Sequence, residues 1–215
     1  MRKALLSVSA GVVLIGFYAL GVAQQEEPKK KRRDEPIVPA AALPVVDGAG
    51  LSDGKSYDTQ PAACTSADGT THIAWVRYRN RGADELVAAA VRGGKAEAPV
   101  AITPEKGQYI RPAVAAAGAD VWCVWTRTEP ENVASIWMSK RSGGGWSAPE
   151  RFLAGETRSH QNPEIAATAD GRVAVAYQVH TGRGYDIHLR MFDGKAWAEP
   201  QSLSGDATND WDPSL

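Results

Sequence analysis

The chain has 215 residues, 43% of them hydrophobic and 23% charged, with a formal net charge of −1. It is too apolar for a disordered protein and carries no global basic field for nucleic acid. With 21 Gly, 13 Pro and 7 Trp against 3 Phe and 3 Met, the composition excludes a collagen, a coiled coil and a multi-span membrane protein, and reads as a turn-rich β protein.

Arg2 and Lys3 precede an uncharged stretch from Ala4 to Gln25 whose apolar centre is Val12 to Phe17. Gly21-Val22-Ala23 puts small residues where a signal peptidase cuts, so residues 1–23 are predicted to be a signal peptide. An uncleaved N-terminal anchor is the rival reading, since about 20 apolar residues span a bilayer. Either way the remainder is expected outside the cytoplasm, periplasmic or secreted, with membrane contact only through this segment if it is retained. Residues 24–47 hold five basic side chains, Lys29 to Arg33, five acidic ones, and Pro28, Pro36, Pro39 and Pro44. Proline at that density disfavours helix and strand, so this stretch reads as a solvated linker.

From residue 48 onward the chain repeats itself. Pro61, Pro112, Pro163 and Pro213 fall 51, 51 and 50 residues apart. Each of the first three opens an Ala-rich run, then a turn at Asp68-Gly69, Gly118-Ala119-Asp120 or Asp170-Gly171. An apolar run tipped by an aromatic follows, at Trp75, Trp125 and Tyr177, which lie 14, 13 and 14 residues after their prolines. A third run (85–92, 135–141, 187–192), a glycine turn and a second proline (Pro99, Pro149, Pro200) complete the unit. Landmarks in one order at one offset mark internal repeats, and four short strands per unit mark a propeller blade. The predicted fold is therefore all-β, a β-propeller of four-stranded antiparallel blades. Three blades are complete, at about 61–111, 112–162 and 163–212, and a fourth begins at Pro213. A closed ring takes about four to eight blades, so the chain reads as the N-terminal part of a longer one. Cys64 and Cys123 lie in predicted strands; an oxidising compartment permits a disulfide, but two free thiols are expected.

Up-and-down topology sorts the loops onto two ends. The first-to-second and third-to-fourth strand turns are short and glycine-rich, and supply turn geometry. The blade-to-blade connections feed the strands expected beside the axis. Immediately before the prolines stand Gln60, Arg111, Asn162 and Asp212, and three residues before them Asp58, Tyr109, His160 and Asp210, with Trp211 inside the last pair. Equivalent positions of successive blades converge, so Gln60, Tyr109, Arg111, His160, Asn162, Asp210, Trp211 and Asp212 are predicted to ring one axial mouth. Such a ring suits a polar ligand, a glycan or a protein segment, with Arg111 available to a carboxylate or phosphate and the aromatics as platforms. Asp206, Asn209, Asp210 and Asp212 gather oxygen ligands, but the other connections lack the pattern, and the four histidines show no metal-ligand spacing; no metal and no cofactor are predicted. Phosphate-binding glycine loops and the GxSxG elbow are absent from the sequence, so nucleotide binding and serine hydrolysis have no support.

At the turn after the third strand, the second unit reads Ser139-Lys-Arg141-Ser-Gly143-Gly-Gly-Trp146-Ser-Ala-Pro149, and the third keeps Gly194, Trp197 and Pro200. These runs resemble the Asp-box (BNR-repeat) of sialidase-like β-propellers, with Arg141 standing where the box has its Asp and Asp193 displaced by one. The resemblance implies a propeller and, in active members, glycoside hydrolysis by an arginine triad, a Tyr–Glu nucleophile pair and an Asp acid/base. Tyr109-Ile110-Arg111-Pro112 differs from the family's Phe-Arg-Ile-Pro opening and lies in the second repeat, so no catalytic role passes to Arg111 and the catalytic residues stay unknown. The expected function is an exported binding module; a sialidase-like hydrolase present only in part is the alternative.

Overall fold

The computed structural model describes residues 50–52, 54–78, 84–205 and 208–215. The predicted signal peptide and linker, and Asp206, lie outside them. The described chain is all β. Strands β1 (Tyr57–Thr65), β2 (Thr71–Tyr78) and β3 (Asp84–Arg92) form the first antiparallel sheet, edged by β4 (Lys95–Ala96) and β5 (Val100–Ala101). The second contains β6 (Gln108–Ala117), β7 (Asp120–Thr128) and β8 (Ala134–Ser142), edged by β9 (Gly145–Trp146) and β10 (Glu150–Arg151). The third contains β11 (His160–Ala167), β12 (Val173–His180), β13 (Tyr185–Phe192) and β14 (Gln201–Ser202).

The outer strand of the first two sheets comes in two pieces on one edge: β4 and β5 both pair β3, and β9 and β10 both pair β8. Pro99 and Pro149 sit between the pieces, and a proline has no N–H to give the ladder. The inner strands β1, β6 and β11 are neighbours, so the sheets fan out from them as propeller blades.

Each sheet is thin and apolar on both faces, and the core lies between sheets. Ala74, Leu86, Ala88 and Ile102 of the first meet Tyr109, Val114, Cys123 and Trp125 of the second. Trp122, Val124, Ile136, Met138 and Phe152 of the second meet Ile165, Val175, Tyr177 and Val179 of the third. Trp75, Trp125 and Tyr177 occupy one repeated position: they pair across β2–β3, β7–β8 and β12–β13 with Val87, Trp137 and His188, and all three are buried. Cys64 and Cys123 are free thiols. Burial raises both, Cys64 to about 11.

The inner strands depart from expectation. They begin at Tyr57, Gln108 and His160, ahead of Pro61, Pro112 and Pro163. Each ladder skips register across its proline, between Thr59 and Ala62, Ile110 and Ala113, and Gln161 and Glu164. At each skip the residue before the proline is left-handed: Gln60 has φ 51°, Arg111 50° and Asn162 53°; Asp212, before Pro213, has 47°. Residues with a Cβ rarely adopt this region. Here the proline cannot bond to the neighbouring strand, the ladder bulges, and the bulged residue turns its side chain out of the sheet.

Candidate binding face at the inner-strand bulges

The four bulge residues share one end of the fold. Arg111 Nη1 lies 2.6 Å from Asp212 Oδ1, joining the second unit to the start of the fourth. The Arg111 backbone N–H donates to Gln60 Oε1, and that of Asn162 to Thr126 Oγ1. Gln60, Arg111 and Asp212 are exposed, and Asn162 is half-buried. Beneath them runs a polar chain: Asn162 Nδ2 donates to the fully buried Gln178 Oε1, whose Nε2 donates to the Asp210 carbonyl at 3.1 Å. Glu164 stands one strand position beyond Pro163. Partial burial raises its carboxyl, with Arg111 pulling it down and Asp212 pushing it up. Arg111, Asp212 and Glu164 are therefore one electrostatic group.

Beside that group Trp211 is 57% exposed. Its ring lies 4.7 Å from Tyr185, which lies 5.1 Å from His180. The stack is fixed from below: Tyr185 N–H donates to Asn209 Oδ1, and Asp210 N–H to the Tyr185 carbonyl. A Cβ at Gly184 would come within 2.6 Å of Asn209 Oδ1, so a larger residue there would push the Asn209 amide away from Tyr185 N–H. An exposed indole braced by a second ring tilted 43° to it is a platform for an apolar face such as that of a sugar.

Two predicted ring members are elsewhere. Tyr109 is 2% exposed, with its hydroxyl donating to the Glu105 carbonyl at 2.8 Å. His160 is 4% exposed, its Nδ1–H donating to the Arg158 carbonyl and its ring 5.8 Å from Tyr177; burial lowers its pKa. Both lie inside the strand, where their side chains enter the cleft between sheets rather than the mouth. Asp58, at the equivalent position, pairs with Arg77 Nε at 3.5 Å. Asp210 is half-buried, its Oδ2 without a hydrogen-bond partner among the described residues. The bulge position thus faces outward and the position two before it faces inward, a distinction that spacing from the proline alone does not make.

The sequence also left Glu164, Gln178, Tyr185 and His180 unassigned. Glu164 had a signal: it stands where the other units carry Ala62 and Ala113. At the opposite end, where turns were expected to supply geometry alone, a cleft of about 700 Å³ opens between the first two sheets. Its charged groups are mutually satisfied. Arg141 donates to His72 Nδ1 at 3.2 Å and to Glu97 at 3.1 Å, His72 Nε2 meets Ser66 Oγ, and Asp68 takes the Thr70 N–H. Arg141, at the box's Asp position, therefore bridges sheets while its Nε–H also donates to the Gly144 carbonyl of its own turn at 3.3 Å. Among the described residues no group of three His, Cys, Asp or Glu side chains is placed to hold a metal ion.

No protein-family model and no curated protein matches the chain. Solved structures do. A Hadza microbial sialidase aligns with a TM-score of 0.58 at 14% identity, over 72% of this chain and 40% of its own. A Penicillium chrysogenum α-L-arabinanase complexed with arabinobiose gives 0.54 at 12%, over 72% and 52%. An endo-arabinase from Bacteroides thetaiotaomicron gives 0.51 at 15%, over 73% and 66%. At these identities the likeness shows a common β-propeller fold, and the chain spans 40% to 66% of the length of those proteins.

Proposed function

We propose that the chain is a carbohydrate-binding propeller segment of an exported protein. The glycan would lie across the bulge end, with a sugar face on Trp211 and hydroxyl or acidic groups on Arg111, Asp212, Asn162 and Gln60. The observation that carries this reading is the left-handed backbone repeated at Gln60, Arg111, Asn162 and Asp212. Strain of this kind costs about 1–3 kcal/mol per residue and concentrates at functional sites, and here all four residues are polar and displayed together. Fold neighbours named as a sialidase and arabinanases support a sugar ligand over a protein segment. A glycan array followed by titration of the best hit tests it. Arg111→Ala and Trp211→Ala should each weaken binding by about tenfold or more with the melting temperature unchanged; two variants that bind like the parent would remove the site.

One observation favours a second reading, a sialidase-like glycoside hydrolase of which this chain is a part. Glu164, raised by burial, stands within electrostatic reach of Asp212 and Arg111. A carboxyl raised by burial beside a second carboxyl group that an arginine holds is the kind of pairing that glycoside cleavage uses. Turnover of chromogenic sialosides or arabinosides, abolished by Glu164→Gln, would select this reading; binding without turnover selects the first.

A further inference from the structure

At the connection end, between the second sheet and the residues that follow β5, lies a separate slot of about 190 Å³. Tyr109, Trp125 and Trp137 form its walls, Pro104 and Pro149 its rim, and Arg127 lies across it. The Arg127 guanidinium sits 5.0 Å over the Trp137 ring. Glu105 lies 3.5 Å and Glu129 3.7 Å from it, so its charge is already countered. Trp137 Nε1–H donates to Glu129 Oε1 at 3.1 Å, which holds that ring in place. Trp125 is 1% exposed and its Nε1–H has no partner among the described residues. A buried unpaired donor costs about 1–3 kcal/mol, and an acceptor oxygen brought against it would remove that cost.

The first sheet repeats the Trp-x-Arg spacing, but its arginine lies over the tryptophan of its own strand and does not line the slot beside it. Trp75 and Arg77 stand two apart like Trp125 and Arg127, with Arg77 5.7 Å over Trp75. Asp58 pairs with Arg77, Trp75 Nε1–H is again unpartnered, and a second slot of about 180 Å³ opens beside Trp75. In the third sheet the same positions are Tyr177 and Val179. There the cation is absent, and Phe152 fills the space against Tyr177 at 5.7 Å.

From the Trp-x-Arg positions, the walls and the unpaired indole we infer that the slot walled by Tyr109, Trp125 and Trp137 is a binding site for one neutral sugar ring, separate from the bulge end. The volume is below the ~300 Å³ of pockets for drug-sized ligands, which limits the occupant to a single ring. Aromatic walls take the C–H face of a pyranose or furanose. The neutralised Arg127 draws in neither an anion nor a cation, while its remaining N–H groups and the Glu105 carboxylate can meet hydroxyls. The inference rests on the carbohydrate reading above only for its ligand class.

The test is titration of the isotope-labelled full chain with neutral methyl pyranosides and a methyl uronide, following the tryptophan indole N–H resonances by two-dimensional NMR. The Trp125 resonance is identified by its loss in Trp125→Phe. The expected result is a saturable downfield shift of that resonance with a neutral glycoside, weakened about tenfold or more in Arg127→Ala and retained in Arg111→Ala. No Trp125 shift with any glycoside, or a shift unaffected by Arg127→Ala, overturns the slot. A Trp211 resonance that never moves while Trp125 does would overturn the bulge-end reading and leave the slot standing.

Discussion

The two boundaries between blades share a backbone register and differ in how they are filled. At the second, Trp122 lies 5.3 Å from Phe192 and 5.6 Å from Trp197, and Phe152 lies 4.9 Å from Trp197. Arg190 closes the cluster over Phe152 and Trp197, and donates to the Phe152 carbonyl. At the first, Tyr109 and Trp125 face aliphatic side chains, Ala74, Val76, Leu86, Ala88 and Ile102, with Ala62 and Cys64 packed beside them. Aromatics from both sides meet at one boundary, beside an open groove of about 440 Å³ that Phe152, Arg190 and Trp197 help to line; aromatics from one side only leave the other with a slot, an indole unpaired among the described residues and a polar bridge from Arg141 to His72. The fold tolerates this because each boundary packs locally, as in other repeat architectures. One can hold a slot while its neighbour packs ring against ring.

The largest expected effect lies in the boundary packed ring against ring. Phe152→Ala should cost about 3–5 kcal/mol in chemical denaturation, as large core truncations do. Trp125→Phe, in the boundary with the slot, should cost clearly less, because the lost ring is partly offset by deleting an unpaired N–H. Equal costs would mean that the two boundaries are packed alike. A smaller effect is set by pH. Burial, and then Arg141, lower the pKa of His72; burial likewise lowers His160 and His188. Folded-state values below the unfolded one of about 6.5 mean that the folded chain binds fewer protons. This contribution to stability is full above that pH and is lost as pH falls through it toward the folded values. The urea midpoint should therefore drop between about pH 7.5 and about pH 5.5. His72→Asn should flatten only part of the slope, leaving the share of His160 and His188 at the other boundary. An unchanged slope in that variant would show that the Arg141–His72 bridge does not resist protonation.

The repeat was legible because its landmarks are local: a proline, a turn and an aromatic at fixed offsets locate each blade and place Trp75, Trp125 and Tyr177 at equivalent strand positions. The bulge was not legible. Pre-proline residues normally avoid helical backbone and extend, and only the pairing of β1, β6 and β11 with their neighbours shows that Gln60, Arg111 and Asn162 are left-handed. The extra residue per strand sets the position two before it on the opposite face, so Tyr109 and His160, expected at the mouth from their spacing to the prolines, lie in the core. Glu164 could have been found as a charge breaking an alanine position. Arg127 over Trp137 could not, since it depends on two strands meeting side by side.

Arg111→Gly puts the bulge itself to the test. Glycine adopts φ near 50° without penalty, and the exposed pair lost with Asp212 contributes little. If the left-handed arginine is kept for its ligand, the variant should unfold at a higher denaturant concentration than the parent, by roughly 1 kcal/mol, while glycan binding disappears. Binding that survives at parental strength would contradict the account.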